Sequence, residues 1–334
     1  MDGMYSLLSK CRCIQHLNLK YARFLNDQHV AELSLFLAGL KSINLSSCNH
    51  LTESALFSLV RSCPLLSDIK MERTNIGKES AVSSNSLRDF VVVNPQLKSL
   101  CLARCEHLKD ENIILFASIF PTLELLDLRF SDQISEELSL FSLVKNCPSL
   151  SEIKMEDTDI GKENVENNDS MMDIGIYPQL KSLYLGDNLW LSVQKIIMFA
   201  SSIPSLQLLD LNDCDLSDGI WQFVRRFDMI THLNLASCTD VNKFKMNFVL
   251  PKLQVLDLAD TGVDDETVYA ISKSCPGLLE LLLKYCYYVT EKGVKHVVEN
   301  CKQLRKIEFS DFYVHDTIRE LAMDALFASV LKFL

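Results

Sequence analysis

Every proline in this 334-residue chain falls in one register. Pro64, Pro95, Pro121, Pro148, Pro178, Pro204, Pro251 and Pro276 each lie five residues before an apolar residue that opens an apolar–x–apolar pair. The openers are Ile69, Leu100, Leu126, Ile153, Leu183, Leu209, Leu256 and Leu281, and four proline-less copies open at Leu17, Ile43, Leu233 and Ile307. The second members of the pairs stand at 19, 45, 71, 102, 128, 155, 185, 211, 235, 258, 283 and 309, with spacings of 23 to 31 residues and most near 26. Prolines placed without constraint would share no phase. The chain is therefore twelve copies of one unit, each too small to bury its apolar face except against its neighbours. This excludes the two or three separate globular lobes that the length would otherwise suggest.

A period near 26 lies in the leucine-rich-repeat range. Each unit reads as strand, turn, helix, turn. Around Ile43 and Leu45 apolar and polar residues alternate, as in a short strand with one buried face. Three residues after the pair comes a slot held by Cys48, Cys105, Cys214, Cys238 and Cys286. Then follows an apolar residue with a hydroxyl and an acid: Leu51-Thr52-Glu53, Ile134-Ser135-Glu136, Leu216-Ser217-Asp218, Val289-Thr290-Glu291. A hydroxyl there caps the free N–H groups of a helix, and the acid suits the positive end of its dipole. Leu56, Leu59 and Val60 keep helical spacing until Pro64 ends the helix. Five more cysteines (Cys11, Cys63, Cys147, Cys275 and Cys301) lie six residues before a strand opener, so ten of the twelve are repeat positions filling narrow gaps between coils.

A longer duplication overlies the short one. CPLLSDIKMERTNIGKES at 63–80 returns as CPSLSEIKMEDTDIGKEN at 147–164, and PQLKSLCL at 95–102 as PQLKSLYL at 178–185. Each copy carries a polar insertion, Gly77–Arg88 and Gly161–Asp173, expected to be a surface loop.

The expected fold is α/β: a leucine-rich-repeat solenoid, or horseshoe, of about twelve strand–helix repeats with a parallel sheet on the concave face. Its expected boundaries are the end of a preceding repeat at 1–13, the solenoid at 14–312 and a closing amphipathic helix at 313–334. YSLLSKC before the first strand matches the last helical turn of a unit, which suggests an upstream continuation. Twelve strands at about 4.8 Å give an inner strip roughly 50 Å long. Its middle column reads Asn18, Asn44, Lys70, Cys101, Asp127, Lys154, Tyr184, Asp210, Asn234, Asp257, Leu282 and Glu308, polar and mixed in sign. Such strips serve solenoids as binding faces. The candidate protein-binding residues are Asp127, Arg129, Lys154, Tyr184, Asp210 and Asp257, with Tyr285, Tyr287 and Tyr288 near the C-terminal end, because aromatic and Arg side chains favour binding anchors. Arg104, Arg129 and Lys154 lie on adjacent strands, but Asp127 and Glu156 are placed to neutralise them, so no anionic cofactor is expected.

Composition narrows the function classes. Lys and Arg number 33 against 44 Asp and Glu, a net charge of −11, which disfavours nucleic acid as a partner. The apolar stretch Ile113–Phe120, broken only by Ser118, falls far short of the ~20 residues that cross a bilayer, and the first fifteen residues do not read as a secretory signal. Neither membrane nor nucleic acid is expected as a partner. Twelve cysteines without an export signal suggest reduced thiols in the cytosol or nucleus. The sequence carries no H-E-x-x-H, no G-x-S-x-G, no phosphate-binding glycine loop and no C-x-x-C. Catalytic residues, metal and cofactor are all expected to be none.

The pattern L-x-L-x-x-C…L-[TS]-[DE]…C-P-x-L resembles the cysteine-containing subtype of leucine-rich repeat. The phrases NCPSLSEIKMEDTDIG and CRCIQHLNL resemble plant F-box/LRR proteins over residues 14 to 312. That resemblance implies substrate capture for an SCF-type ubiquitin ligase, with a Skp-type adaptor and cullin engaged through an F-box. Here the first repeat begins at Ile14, so an F-box would have to be encoded upstream. The alternative is a stand-alone scaffold or a signalling or immune interaction protein.

Overall fold

The computed structural model describes residues 11, 13–78, 96–162, 175–216, 224–238, 241 and 248–309. The chain divides into two compact units, Met1–Glu166 and Asn167–Leu334. The first contains strands β1 (His16–Asn18), β2 (Ser42–Asn44), β3 (Asp68–Lys70), β4 (Ser99–Cys101), β5 (Leu125–Asp127) and β6 (Glu152–Lys154). Its described helices are α1 (Asp27–Ser34), α2 (Glu53–Ser62), α3 (Asp110–Ile119) and α4 (Glu137–Asn146). The second contains β7 (Ser182–Tyr184), β8 (Leu208–Asp210), β9 (His232–Asn234), β10 (Val255–Asp257), β11 (Glu280–Leu283) and β12 (Lys306–Phe309). Helices α5 (Val193–Ser202), α6 (Asp265–Ser274) and α7 (Glu291–Asn300) belong to it.

Within each unit every strand pairs in parallel with the next in sequence. Parallel neighbours need a crossover, which a helix supplies in every connection that the described residues cover in full. This is the leucine-rich-repeat architecture expected from the proline register. The pairing also reproduces the aligned columns: Ile43 faces Ile69, Leu100 faces Leu126, and Leu256 faces Leu281. From the second repeat to the eleventh both members of each apolar pair are buried, Leu126 and Leu128 fully. In the first and twelfth, Leu17, Leu19, Ile307 and Phe309 are only half-buried. The expected closing helix at 313–334 and residues 1–10 lie outside the described residues, as does most of each insertion. Each insertion leaves its stack through a glycine with left-handed backbone, Gly77 (φ 87°) and Gly161 (φ 93°). At Gly77 a β-carbon would stand 2.2 Å from the His107 carbonyl oxygen, so only glycine fits there.

Helix starts follow the hydroxyl pattern in part. Thr52 and Thr290 cap α2 and α7, their side chains accepting from the N–H of Ser54 and Lys292. At the fifth repeat the structure places the cap one residue later, at Glu136. Ser135 instead donates its backbone N–H to Asp110 at 3.0 Å. Ser217 lies outside the described residues. The acid at the start of a helix does more than meet the dipole. Asp27 accepts from both the N–H (2.8 Å) and the hydroxyl (2.6 Å) of Thr52 in the next repeat. Asp110 does the same for Ser135 in the fifth repeat, and Asp265 for Thr290 and the Gly293 N–H at 3.0 Å. Each such carboxylate is a clasp between coils, satisfying N–H groups that a helix start leaves unpaired.

The cysteines form two seams. After the strand, Cys48, Cys105, Cys214, Cys238 and Cys286 direct their thiols to the carbonyls of Leu19, Met71, Leu185, Leu211 and Leu258, at 3.0–3.4 Å. Each accepting residue closes the apolar pair of the preceding repeat. At helix ends Cys63, Cys147, Cys275 and Cys301 occupy the C-cap, just before a proline in the first three. Burial raises these thiols, to about 12 for Cys147, Cys214, Cys238 and Cys275 and about 11 for Cys63 and Cys301. Protonated, buried thiols are poor nucleophiles. Titrating the native protein with a thiol reagent at pH 7.5 is expected to modify rapidly only Cys11 and Cys13, which are exposed, and all twelve in denaturant.

Candidate functional site

The strand face is built as the alternation predicts, yet its carboxylates are largely occupied. Asp127, Asp210 and Asp257 each turn back on their own strand exit. Their Oδ1 atoms accept from the N–H two residues on, in Arg129 (3.2 Å), Asn212 (3.0 Å) and Ala259 (2.9 Å). Asn18, Asn44 and Asn234 make the same bond to Lys20, Ser46 and Ala236. The column of Asn and Asp is therefore a repeated turn lock. Asp127 is only 4% exposed, and its second oxygen and Oδ1 take the guanidinium of Arg129 in a forked pair at 2.8 and 2.9 Å. Lys154 pairs with Glu152 at 3.0 Å. Asp210 also accepts from the Asn234 amide at 3.0 Å. Tyr184 faces Asp210 in register and is half-buried. Tyr285, Tyr287 and Tyr288 are 50%, 59% and 69% exposed at the exit of β11.

Burial raises the carboxyl of Asp257, against the weaker pull of Lys284 and Lys306. A raised native carboxyl contributes stability at acid pH that is lost as pH rises through the native value. Its charge is then a penalty at pH 7. Asp257→Asn keeps the acceptor for the Ala259 N–H and is expected to raise Tm at pH 7. The gain should fade as pH drops below the carboxylate range. Thermal melts of both proteins between pH 3 and pH 8 measure it.

The feature that the sequence columns did not single out lies two residues beyond each apolar pair. There the backbone is left-handed in repeat after repeat: Tyr21, Ser47, Arg73, Arg104, Phe130 and Asp157 in the first unit, and Asp187, Asp213, Ser237, Asp260 and Tyr285 in the second. Nine of these residues donate their N–H to the following coil, as Arg104 does to the Arg129 carbonyl at 2.7 Å. Asp and Asn tolerate this conformation, whereas Arg, Phe and Tyr adopt it at a cost of about 1 kcal/mol or more. The second unit uses Asp at three of its five positions; the first places Tyr, Arg, Arg and Phe there. These four side chains line a cleft of about 520 Å³ together with Arg23 and Glu106. Arg104 stacks on Phe130, its guanidinium carbon 3.8 Å from the ring centre. Of Arg104, Arg129 and Lys154, Arg129 is neutralised by Asp127, as expected, and Lys154 pairs with Glu152.

Among the described residues no group of His, Cys, Asp and Glu is arranged to hold a metal ion. No described helix is long and apolar enough to cross a membrane.

No family model matches the chain. Three solved structures share its fold. The yeast Rad7 chain, solved in complex with Elc1, is 15% identical with a TM-score of 0.54, covering 97% of this chain and 80% of that one. An internalin (inlF) of Listeria monocytogenes is 17% identical with a TM-score of 0.52, covering 88% and 80%. Mouse RP105, solved with MD-1, is 19% identical with a TM-score of 0.58; the alignment covers 86% of this chain and 44% of that one. All three are leucine-rich-repeat proteins. With twelve parallel strands among its described residues and its phased repeat, this chain has the leucine-rich-repeat fold.

Proposed function

We propose that the chain is a protein-binding module that grips its partner along the strand exits. One observation carries this reading. Large aromatic and guanidinium side chains stand exposed where the strands end, Tyr21 at 61% and Tyr285 at 50%, in positions where the fold itself would be served by Asp or Asn. Tyr and Arg are the residue types over-represented among binding anchors. The likeness to Rad7 and RP105, each solved with a second protein, supports the same reading.

The finer form of the proposal is the substrate-recognition part of an SCF-type ubiquitin ligase, acting in the cytosol or nucleus without catalysis of its own. Its support is the resemblance of NCPSLSEIKMEDTDIG and CRCIQHLNL to plant F-box/LRR proteins, and ten buried cysteines that suit a reducing compartment. The Skp-type adaptor and cullin would be reached through an F-box encoded upstream. A stand-alone scaffold is the second reading, and the likeness to RP105 favours it as much.

Affinity capture with the wild-type chain and with Tyr285→Ala/Tyr287→Ala tests the first claim. A partner held by the wild type should fall about tenfold or more in the double variant, with Tm unchanged. Equal capture of every partner would overturn it. Co-precipitation of the Skp-type adaptor with the longest product of the gene separates the two finer readings.

A further inference from the structure

We propose that the cleft at the strand exits of the first unit is an anion-recognition site for an acidic segment of the partner protein. The chemistry it fits is a compact anionic side-chain group beside a flat or apolar side chain. This inference deepens the reading above and rests on it.

Three guanidinium groups, Arg23, Arg73 and Arg104, border the cleft. Among the described residues none of the three guanidinium groups is in a salt bridge or donates to a side chain, and Arg104 only stacks on Phe130. All three are exposed. Glu106 is the single acid among the described residues of the cleft wall, so they carry a formal excess of two positive charges in a chain of net −11. Arg73 and Arg104 come from consecutive coils, about one strand spacing apart, a separation that two oxygens of one anion can bridge. Guanidinium already stacked on a ring is preorganised for such an anion. Tyr21 and Phe130 wall the opposite sides and offer faces to an aromatic or aliphatic neighbour of the anion, while Asn49 and Asn75 supply amides on the lining. About 520 Å³ is a volume for one or two side chains of an extended peptide. The left-handed backbone makes the residue choice telling. Asp serves the same slot in the second unit, so the fold does not require arginine here.

The anion could come from adjacent Asp or Glu residues or from a phosphorylated Ser, and the test separates these sources. Three fluorescein-labelled peptides of otherwise identical sequence, centred on Glu-Glu-Phe, phosphoserine-Phe or Ser-Gln-Phe, are titrated by fluorescence anisotropy into the full chain. One of the two anionic peptides should bind at least tenfold tighter than the neutral one, and which one names the source. Arg73→Asn/Arg104→Asn should lose at least tenfold of that affinity while keeping or raising Tm, because Asn suits the left-handed slot. Lys302→Ala, in the second unit, should bind as the wild type does. Equal affinity for all three peptides, or unchanged affinity in the double Asn variant, overturns the site. So does a single-stranded oligonucleotide that outcompetes the anionic peptide. Partner capture lost in Tyr285→Ala/Tyr287→Ala but with no anionic peptide bound would sink this inference and leave the protein-binding reading standing. Peptide binding with capture indifferent to the tyrosines would do the reverse.

Discussion

Phe116→Ala is expected to cost about 3–5 kcal/mol, read as a drop in the urea midpoint by circular dichroism. Phe116 is fully buried on α3, with its ring 6.1 Å from that of Phe120, centre to centre. Truncation leaves a void between coils that the neighbours cannot close, since each coil is held on both sides by strand pairing. Against a total stability of about 5–15 kcal/mol for a typical domain, that loss is a large fraction. Ile114→Ala, two residues away on the same helix but 42% exposed, should move the midpoint by about 0.5 kcal/mol or less. Equal effects for the two would mean that α3 does not present the face described.

Asp265→Ala should cost about 3 kcal/mol or more. Its carboxylate takes the N–H of Thr290 (2.7 Å), the Thr290 hydroxyl and the N–H of Gly293 (3.0 Å), three donors from the next coil. Bonds to a charged acceptor are worth more than neutral ones, and the part-buried Gly293 N–H left without a partner adds a desolvation penalty. Gly293 permits the approach; a β-carbon there would lie 2.4 Å from Asp265 Oδ1. Asp265→Asn should recover part of the loss, since it keeps an acceptor oxygen but not the charge. A variant as stable as the wild type would remove the clasp from the account.

The stack was legible in the sequence because proline and the apolar pairs recur with one phase, and strand register follows once the pairs are aligned. Ile43 facing Ile69 and Leu256 facing Leu281 needed nothing more. The turn cysteines were legible as buried fillers, though not their bonds to the carbonyls of the coil before. Asp127, Asp210 and Asp257 show where alternation misleads. It marks every second strand residue as outward, but a three-residue strand ends so soon that the third side chain folds back to lock its own turn. The cleft was hidden for a different reason. Tyr21, Arg73, Arg104 and Phe130 are of three residue types, with successive members 26 to 52 positions apart, so only their common left-handed backbone groups them. Aligning the residue two places beyond each pair would have shown the aromatic and basic run before Asp157.

Hydrogen exchange of the chain with its captured partner bound tests the central claim most directly. Amides at the strand exits around Tyr21, Arg73, Arg104 or Tyr285–Tyr288 should slow on binding, while those of α3, α4 and α6 stay as they were. Protection confined to the helices, with the strand exits unchanged, would contradict the account.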